Sequence, residues 1–135
     1  MDLVIDANIV ISALIGKGKT LDLIFSDRFK LFVPEYLFDE IEKHKEEILT
    51  KAKITESELQ AFLSLISLQF NIIPKTDILP MVSKAESITP DPNDREYFAL
   101  ALKLHCAIWT NDKKLKSQEE IIIYNTTELI KLNEF

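Results

Sequence analysis

Residues 1–10 read MDLVIDANIV, and the apolar run at residues 3–5 stops abruptly at Asp6 and Asn8. A carboxylate at the end of a buried strand loses its hydration, so it requires hydrogen bonds or a cation. Which of the two compensates Asp6 depends on the other residues that reach the same place in the fold.

Five short apolar runs have the character of buried strands. They are continuous rather than alternating, as is typical of a parallel sheet covered on both faces, and lie at residues 3–5, 29–34, 70–74, 106–110 and 120–124. Helical patterns separate them, at residues 8–15, 20–26, 34–51, 55–69 and 92–105. The chain has only two glycines, which disfavours an all-β fold rich in tight turns. We therefore predict an α/β fold.

Length and composition favour one globular domain over residues 1–135. The chain has 135 residues, 47% of them hydrophobic, and a chain of this size buries roughly two-thirds of its unfolded surface. Its single cysteine, Cys106, allows no intrachain disulfide, and we expect it to pack as a small buried hydrophobe.

Charge and hydropathy argue against a membrane protein and against a protein with a wholly basic surface. No apolar run approaches the roughly 18 residues of a membrane span and no basic leader precedes the first strand, so we expect an unprocessed cytoplasmic protein. The net charge of −6 argues against a wholly basic surface that wraps nucleic acid. It leaves room for a local site where metal ions offset clustered acids.

The segment 55–69 predicts a helix with apolar residues on two sides. Thr55 followed by Glu58 is the signature of a capping box. One stripe consists of Leu59, Phe62, Leu63, Ile66 and Phe70, and the opposite stripe of Ala61, Leu65 and Leu68. The second stripe either packs under a neighbouring helix or forms a surface for a partner or subunit, and the sequence leaves both open.

Acidic residues stand at the ends of several predicted elements: Asp6 after the first strand, Asp91 and Asp94 at the start of helix 92–105, and Asp112 after strand 106–110. Taken singly, each acid can be explained as a cap of a helix or turn. The carboxyl ends of parallel strands meet at one edge of the sheet, however, and carboxylates gathered there repel one another unless a cation is bound. Hard cations such as Mg²⁺ prefer oxygen ligands, and no Cys/His spacing suggests zinc.

The segment 34–51 offers a fourth acid. At helical spacing, Leu37, Ile41 and Ile48 form its apolar stripe, and Glu40 and His44 lie one turn apart beside that stripe. Both can face the acidic edge, although a lone histidine in such a position is more often a packed or surface residue than a base.

The order of these residues resembles the PIN-domain ribonuclease family. The matching stretches are IDAN at 5–8, PEYLFDEI at 34–41, DPNDREYFALALKL at 91–104 and IWTND at 108–112. Asp-x-Asn alone is common, but four acids in this order and in these contexts are fairly specific. The resemblance covers nearly the whole chain and implies a three-layer α/β/α sandwich with a central parallel sheet.

The same resemblance implies a site and a function. It assigns the catalytic and metal-binding roles to Asp6, Glu40, Asp94 and Asp112, with Asn8 and Thr110 as polar supports. The activity would be that of a Mg²⁺- or Mn²⁺-dependent endoribonuclease, similar to the VapC-type toxins of toxin–antitoxin pairs. RNA would be the substrate, a small antitoxin a partner, and the protein a homodimer. Asp91 matches a less regular extra acid, and capping remains its main expected role.

Contacts to an RNA backbone would come mostly from lysines, because Arg28 and Arg95 are the only arginines. Two lysine groups follow the expected site in sequence, namely Lys113, Lys114 and Lys116 after Asp112, and Lys17 and Lys19 after the first helix. A solvated turn is the alternative explanation for each of them.

Two other α/β protein classes fit the sequence less well than a nuclease does. A haloacid-dehalogenase-type phosphotransfer enzyme needs a second aspartate where this chain has Asn8. A response-regulator receiver needs an acid pair near the first strand and a lysine beside the last, and the sequence offers neither. Two alternatives stay open: a PIN-like RNA-binding or assembly module without catalysis, and an RNA-processing nuclease without an antitoxin.

Overall fold

The computed structural model describes residues 1–16 and 18–134. Its first half contains β1 (Asp2–Ile5), α1 (Ala7–Gly16), α2 (Lys19–Ile24), β2 (Lys30–Pro34), α3 (Tyr36–Lys43), α4 (Lys45–Ala52) and α5 (Glu56–Ser67). Its second half contains β3 (Phe70–Ile73), α6 (Lys75–Ile78), α7 (Val82–Ile88), α8 (Arg95–Leu104), β4 (Ala107–Trp109), β5 (Ile123–Tyr124) and α9 (Thr126–Asn133). Short 3-10 turns cover Leu79–Met81, Pro92–Asp94 and Lys113–Ser117.

The five strands form one parallel sheet in the order β3-β2-β1-β4-β5. In register, Leu3 of β1 lies beside Leu31 of β2 on one side and Ala107 of β4 on the other. The chain builds the sheet outward from β1 in one direction and then returns to build it in the other. The strand order therefore reverses between β1 and β4, and ligands of open parallel sheets bind outside the carboxyl ends of the strands at such a point.

Helices cover both faces of the sheet, which confirms the predicted three-layer α/β/α sandwich. Leu3, Val4 and Ile5 of β1 are each 0% exposed. Because successive side chains of a strand point to opposite faces, such a run requires cover on both. One group of helices is α8, which packs on β1, β2 and β4, with α6 and α7 beside it. In the other group, α1 packs against α2, α3 and α4, and α9 packs against α2.

The predicted helices needed three corrections. The segment 34–51 is two helices rather than one, because the backbone leaves helical geometry at His44 (φ −99°, ψ 10°). The segment predicted from Pro92 begins with a 3-10 turn, and α8 starts only at Arg95. Helices α6, α7 and α9 were not predicted, although α9 begins with a capping box at Asn125 and Glu128 like the confirmed one at Thr55 and Glu58.

The second stripe of α5 is not covered by a neighbouring helix, which excludes that explanation within this chain. Leu65 is 57% exposed and Leu68 is 78% exposed, whereas Leu59 and Ile66 of the first stripe are buried. Cys106 is half-buried rather than buried, and burial raises the pKa of its thiol to about 11. Within the described residues, no helix has the length and apolar character needed to cross a membrane.

Candidate functional site

Asp6 lies at the point where β1 ends and α1 begins. Its side chain is 4% exposed, and its Oδ1 accepts a hydrogen bond from the backbone N–H of Ile9 at 3.0 Å. The predicted capping role is therefore present, and the Thr110 hydroxyl adds a second hydrogen bond. Burial nevertheless dominates and raises the pKa of Asp6 to about 6, with further increases from the charges of Glu40 and Asp112. The capping hydrogen bond therefore does not offset the cost of burying the charged Asp6 carboxylate.

Glu40 reaches the same place from α3. Its half-buried carboxylate accepts a hydrogen bond from the hydroxyl of Tyr97, a residue of α8 that is 1% exposed. Burial raises the pKa of Glu40, while the hydrogen bond from Tyr97 partly opposes that increase. The Tyr97 oxygen also accepts a hydrogen bond from the backbone N–H of Ala7. One side chain thus connects α8, α3 and the start of α1.

Asp94 closes the 3-10 turn before α8 and makes no capping hydrogen bond with its side chain. Burial raises its pKa to about 7, and the charges of Asp6, Asp91, Glu40 and Asp112 contribute to that increase. Asp91, in contrast, accepts a hydrogen bond from the backbone N–H of Asn93 at 3.0 Å, as its predicted capping role requires. Among the site acids, Asp94 is therefore the one whose position is least explained by a capping role.

Three of the four predicted acids surround one small cavity, which we call the carboxylate cavity. It is lined by Asp6, Ala7, Asn8, Glu40, Asp94 and Tyr97 and has a volume of about 10 Å³. A space of that size holds roughly one water molecule. The structure therefore brings Asp6, Glu40 and Asp94 around a space the size of one water molecule.

Asp112 lies at the margin of this cavity rather than in its wall. It follows β4, its Oδ1 accepts from the backbone N–H of Lys114 at 3.0 Å, and its own N–H donates to the Thr110 hydroxyl oxygen at 3.1 Å. Thr110 thus contacts Asp6 with its hydroxyl group and Asp112 through the backbone N–H of that residue. Asp112 also lines a neighbouring cavity of about 270 Å³ together with Asn8.

The remaining predicted site residues take various positions. Asn8 is exposed and lines the carboxylate cavity, and in the described part of the chain its side chain makes no hydrogen bond to Asp6. His44 is exposed, with its Nδ1 3.5 Å from Glu47 Oε2, on the surface rather than in the cavity wall. Lys19 is exposed at the start of α2, and Lys17 lies outside the described residues.

Tyr97 is the residue of this site that the sequence analysis missed. It occurs three residues after Asp94, and residues three apart on a helix lie on the same face. A polar-tipped aromatic one turn beyond a predicted site acid was therefore a signal that could have indicated it.

The donor atoms fit a hard divalent cation. The acidic groups of the wall are all carboxylates, and their mutual repulsion is what a bound cation would relieve. Among residues 1–16 and 18–134, no three His, Cys, Asp or Glu side chains stand close enough to ligate one ion directly. Mg²⁺ is commonly bound by one or two carboxylates with water completing its shell, so the arrangement is compatible with it.

A sequence profile described as a PIN domain matches residues 4–129. The chain belongs to the PIN domain family. The match spans β1 to the first turn of α9 and contains every acid of the site described above. PIN domains are generally nucleases.

A solved structure supports the same fold for this PIN domain. It is that of VapBC2 from Rickettsia felis bound to a DNA fragment from their promoter, one chain of which superimposes with a TM-score of 0.67 at 15% sequence identity. The superposition covers 93% of this chain and 98% of that chain. No curated protein sequence matches this chain.

Proposed function

We propose that this PIN domain is a metal-dependent endoribonuclease that hydrolyses RNA phosphodiester bonds, with Mg²⁺ or Mn²⁺ as its cofactor. The observation that carries the proposal is the carboxylate cavity, where Asp6, Glu40 and Asp94 surround a water-sized space with the pKa values of all three raised. Retaining such acids without a cation costs stability, which favours a functional role over a purely structural one.

In the proposed reaction, Asp6 and Asp94 are the direct metal ligands, and Glu40 and Asp112 complete the site directly or through water. When bound, the metal would orient the scissile phosphate, favour hydroxide formation from water and neutralise charge on the phosphoryl oxygens. The chain's residues hold this arrangement: Thr110 and the Ile9 N–H fix Asp6, and Tyr97 fixes Glu40. A carboxylate of the set accepts the water proton, and no covalent intermediate is needed.

We further propose that the protein is the toxin of a VapBC-type pair and acts in the cytoplasm as a homodimer. The similarity to a chain of VapBC2 supports a partner antitoxin, and the exposed stripe on α5 supports self-association. An RNA-processing nuclease without an antitoxin has the same active site. Co-expression with the small protein encoded beside this gene distinguishes the two, because an antitoxin must co-purify with the chain and inhibit its cleavage.

The first test is cleavage of a mixed set of structured and single-stranded RNAs by the purified protein with Mg²⁺, Mn²⁺ or EDTA. The variants Asp6→Asn and Asp94→Asn remove one charge each at nearly constant volume. Asp39→Asn, an exposed acid on α3 one residue from Glu40, is the matched control. We expect metal-dependent cleavage by the wild type and the control, and none by the two site variants.

The alternative of a non-catalytic module predicts a different pattern. In that case the wild type would be inactive with every metal, calorimetry would detect no metal binding, and replacing the acids would lower stability. A nuclease site predicts the opposite trade-off, in which the variants lose cleavage while they gain stability.

A further inference from the structure

A second, larger cavity lies on the far side of Asp112 from the carboxylate cavity. Its volume is about 470 Å³, and its lining includes Asp112, Lys113, Lys116, Thr126 and Thr127. We call it the lysine cavity. It is formed between the segment that follows β4 and the first turn of α9, two elements that neighbour each other because β4 and β5 are paired.

The lysine cavity is linked to the carboxylate cavity by a third cavity that shares lining residues with both. The cavity of about 270 Å³ between them shares Asn8 with the carboxylate cavity. It shares Asn111 and Asp112 with the lysine cavity. The three cavities therefore form a row of sites, and an extended ligand that occupies the carboxylate cavity can continue into the lysine cavity.

The wall of the lysine cavity is held by hydrogen bonds that do not involve its lysines. The backbone N–H of Thr126 donates to Asn111 Oδ1 at 2.9 Å, and the Thr126 hydroxyl accepts from the Trp109 indole N–H at 3.0 Å. Trp109 is 0% exposed, so this contact ties the start of α9 to the core. The wall is thus fixed before any ligand binds.

The two lysines of the cavity differ in their partners. Lys116 Nζ lies 2.6 Å from Glu128 Oε1 and is neutralised by it. Lys113 is exposed and, among the described residues, has no ion-pair or hydrogen-bond partner for its ammonium group. An ammonium group that the described residues leave unpaired in the lining of a cavity is available to a ligand's negative charge.

We infer that the lysine cavity binds the phosphate of an RNA strand next to the linkage that is cleaved, with Lys113 as its contact. The inference rests on the proposed nuclease function. The lining offers both the Lys113 ammonium group and the Thr127 hydroxyl, and a phosphodiester oxygen accepts hydrogen bonds and carries charge. No aromatic side chain is among the described residues of the lining, so the cavity contacts the backbone rather than stacking a base.

The matched pair Lys113→Ala and Lys114→Ala tests this subsite. The two lysines are adjacent, exposed and of equal charge, but only Lys113 lines the cavity. We expect Lys113→Ala to lower kcat/KM for a single-stranded oligoribonucleotide about tenfold, through KM, and Lys114→Ala, which removes an equal charge outside the cavity, to lower it clearly less. The slope of log Kd against log salt should fall by about 0.7 in Lys113→Ala, as for the loss of one single-strand phosphate contact.

A modified substrate locates the contact. In a series of oligoribonucleotides, one linkage beside the cleaved bond is replaced in turn by an uncharged methylphosphonate. We expect one position at which the neutral linkage weakens binding to the wild type but not to Lys113→Ala, which is the coupling expected of a direct contact.

Fluorescence anisotropy in EDTA measures binding of the same labelled RNA without cleavage. The proposed phosphate subsite can therefore be tested independently of the proposed nuclease activity. If the wild type binds but does not cleave, and only Lys113→Ala weakens binding, the subsite holds and the nuclease function fails. Cleavage by the wild type with equal effects of the two lysine variants would overturn the subsite. Absence of both binding and cleavage would overturn both proposals.

Discussion

At the scale of single residues, Asp6 and Asp94 differ in what their carboxylates contact. Asp6 accepts hydrogen bonds from the Ile9 N–H and the Thr110 hydroxyl, whereas the Asp94 side chain makes no capping hydrogen bond. The charge of Asp94 is consequently the less compensated of the two in the absence of metal, and its removal should be visible in the stability of the protein.

We expect Asp94→Asn to stabilise the metal-free protein above neutral pH. The folded-state pKa of Asp94 is raised from 3.8 to about 7, so the folded state holds its proton more tightly than the unfolded state. The free energy of unfolding is unaffected by this group below pH 3.8, falls as pH rises from there to about 7, and stays lower above it. The Asp94→Asn variant avoids this loss, which we put at about 1 kcal/mol after allowing for solvent screening.

Urea unfolding in EDTA at pH 5 and pH 8 measures this difference, with Asp39→Asn as the control. The gain of Asp94→Asn over wild type should be larger at pH 8, and Mg²⁺ should restore stability to the wild type alone. An identical pH dependence in wild type and variant would contradict the assignment of an uncompensated charge to Asp94.

Tyr97 provides a second prediction at this scale. Tyr97→Phe keeps the buried ring and removes only the hydroxyl that donates to Glu40 and accepts from Ala7. We expect kcat to fall about tenfold with little change in KM, because a lost hydrogen bond to a charged group is worth roughly 1.5 kcal/mol or more. Tyr124→Phe, on β5, is the control, and equal kcat values in both variants would show that Tyr97 does not position Glu40.

At the scale of secondary structure, the strands could be predicted from the sequence because each one coincides with a continuous apolar run. All five strands were predicted from their continuous apolar runs, which arise where a parallel strand is covered on both faces, as β1 is. The break between α3 and α4 at His44 was not predicted, because neither proline nor glycine occurs there. Helices α6 and α7 are short and bury few residues, with Ile78 and Ala85 buried in them, so they carry little periodic signal.

The same limits explain how much of the site was predictable. The proximity of Asp6 and Asp94 was expected from the rule that parallel strands end at one edge of the sheet. Glu40 was placed beside them by helical spacing and by the resemblance to the PIN-domain family. The lysine cavity depends on the first turn of α9, which was missed, so its wall was not foreseen. The roles of the three acids in chemistry stay predictions until cleavage is measured.

Helix α9 allows a comparison between two capping boxes. Asn125→Ala and Thr55→Ala each remove a side-chain cap, and each should lower stability by about 1 kcal/mol. Only Asn125 lies beside the lysine cavity, so Asn125→Ala should also raise KM for RNA, while Thr55→Ala should not. Thermal unfolding and steady-state cleavage together measure both effects, and an equal KM in the two variants would separate α9 from RNA binding.

At the scale of the whole molecule, the exposed apolar surface predicts self-association. Leu65 and Leu68 on and just after α5 lie in the same part of the chain as Ile72, which is 44% exposed on the edge strand β3. Exposed large apolar side chains such as these occur at interaction surfaces.

We expect the wild type to be a dimer and the double variant Leu65→Glu, Leu68→Glu to be a monomer of unchanged helix content. Light scattering after size-exclusion chromatography gives the mass, and circular dichroism gives the helix content. Leu132→Glu, an exposed leucine on α9, is the control. A monomeric wild type at all concentrations would assign this surface to a different protein instead.

The reversal of strand order between β1 and β4 also has a consequence for how the protein is made. Asp6 leaves the ribosome well before Thr110 and Asp112, which contact it or act on its charge. Because β4 must pair with β1 before these groups meet, a nascent chain that ends before β4 lacks the complete site. In the proposed site, Asp112 therefore joins the three earlier acids only after β4 has been synthesised and has paired with β1.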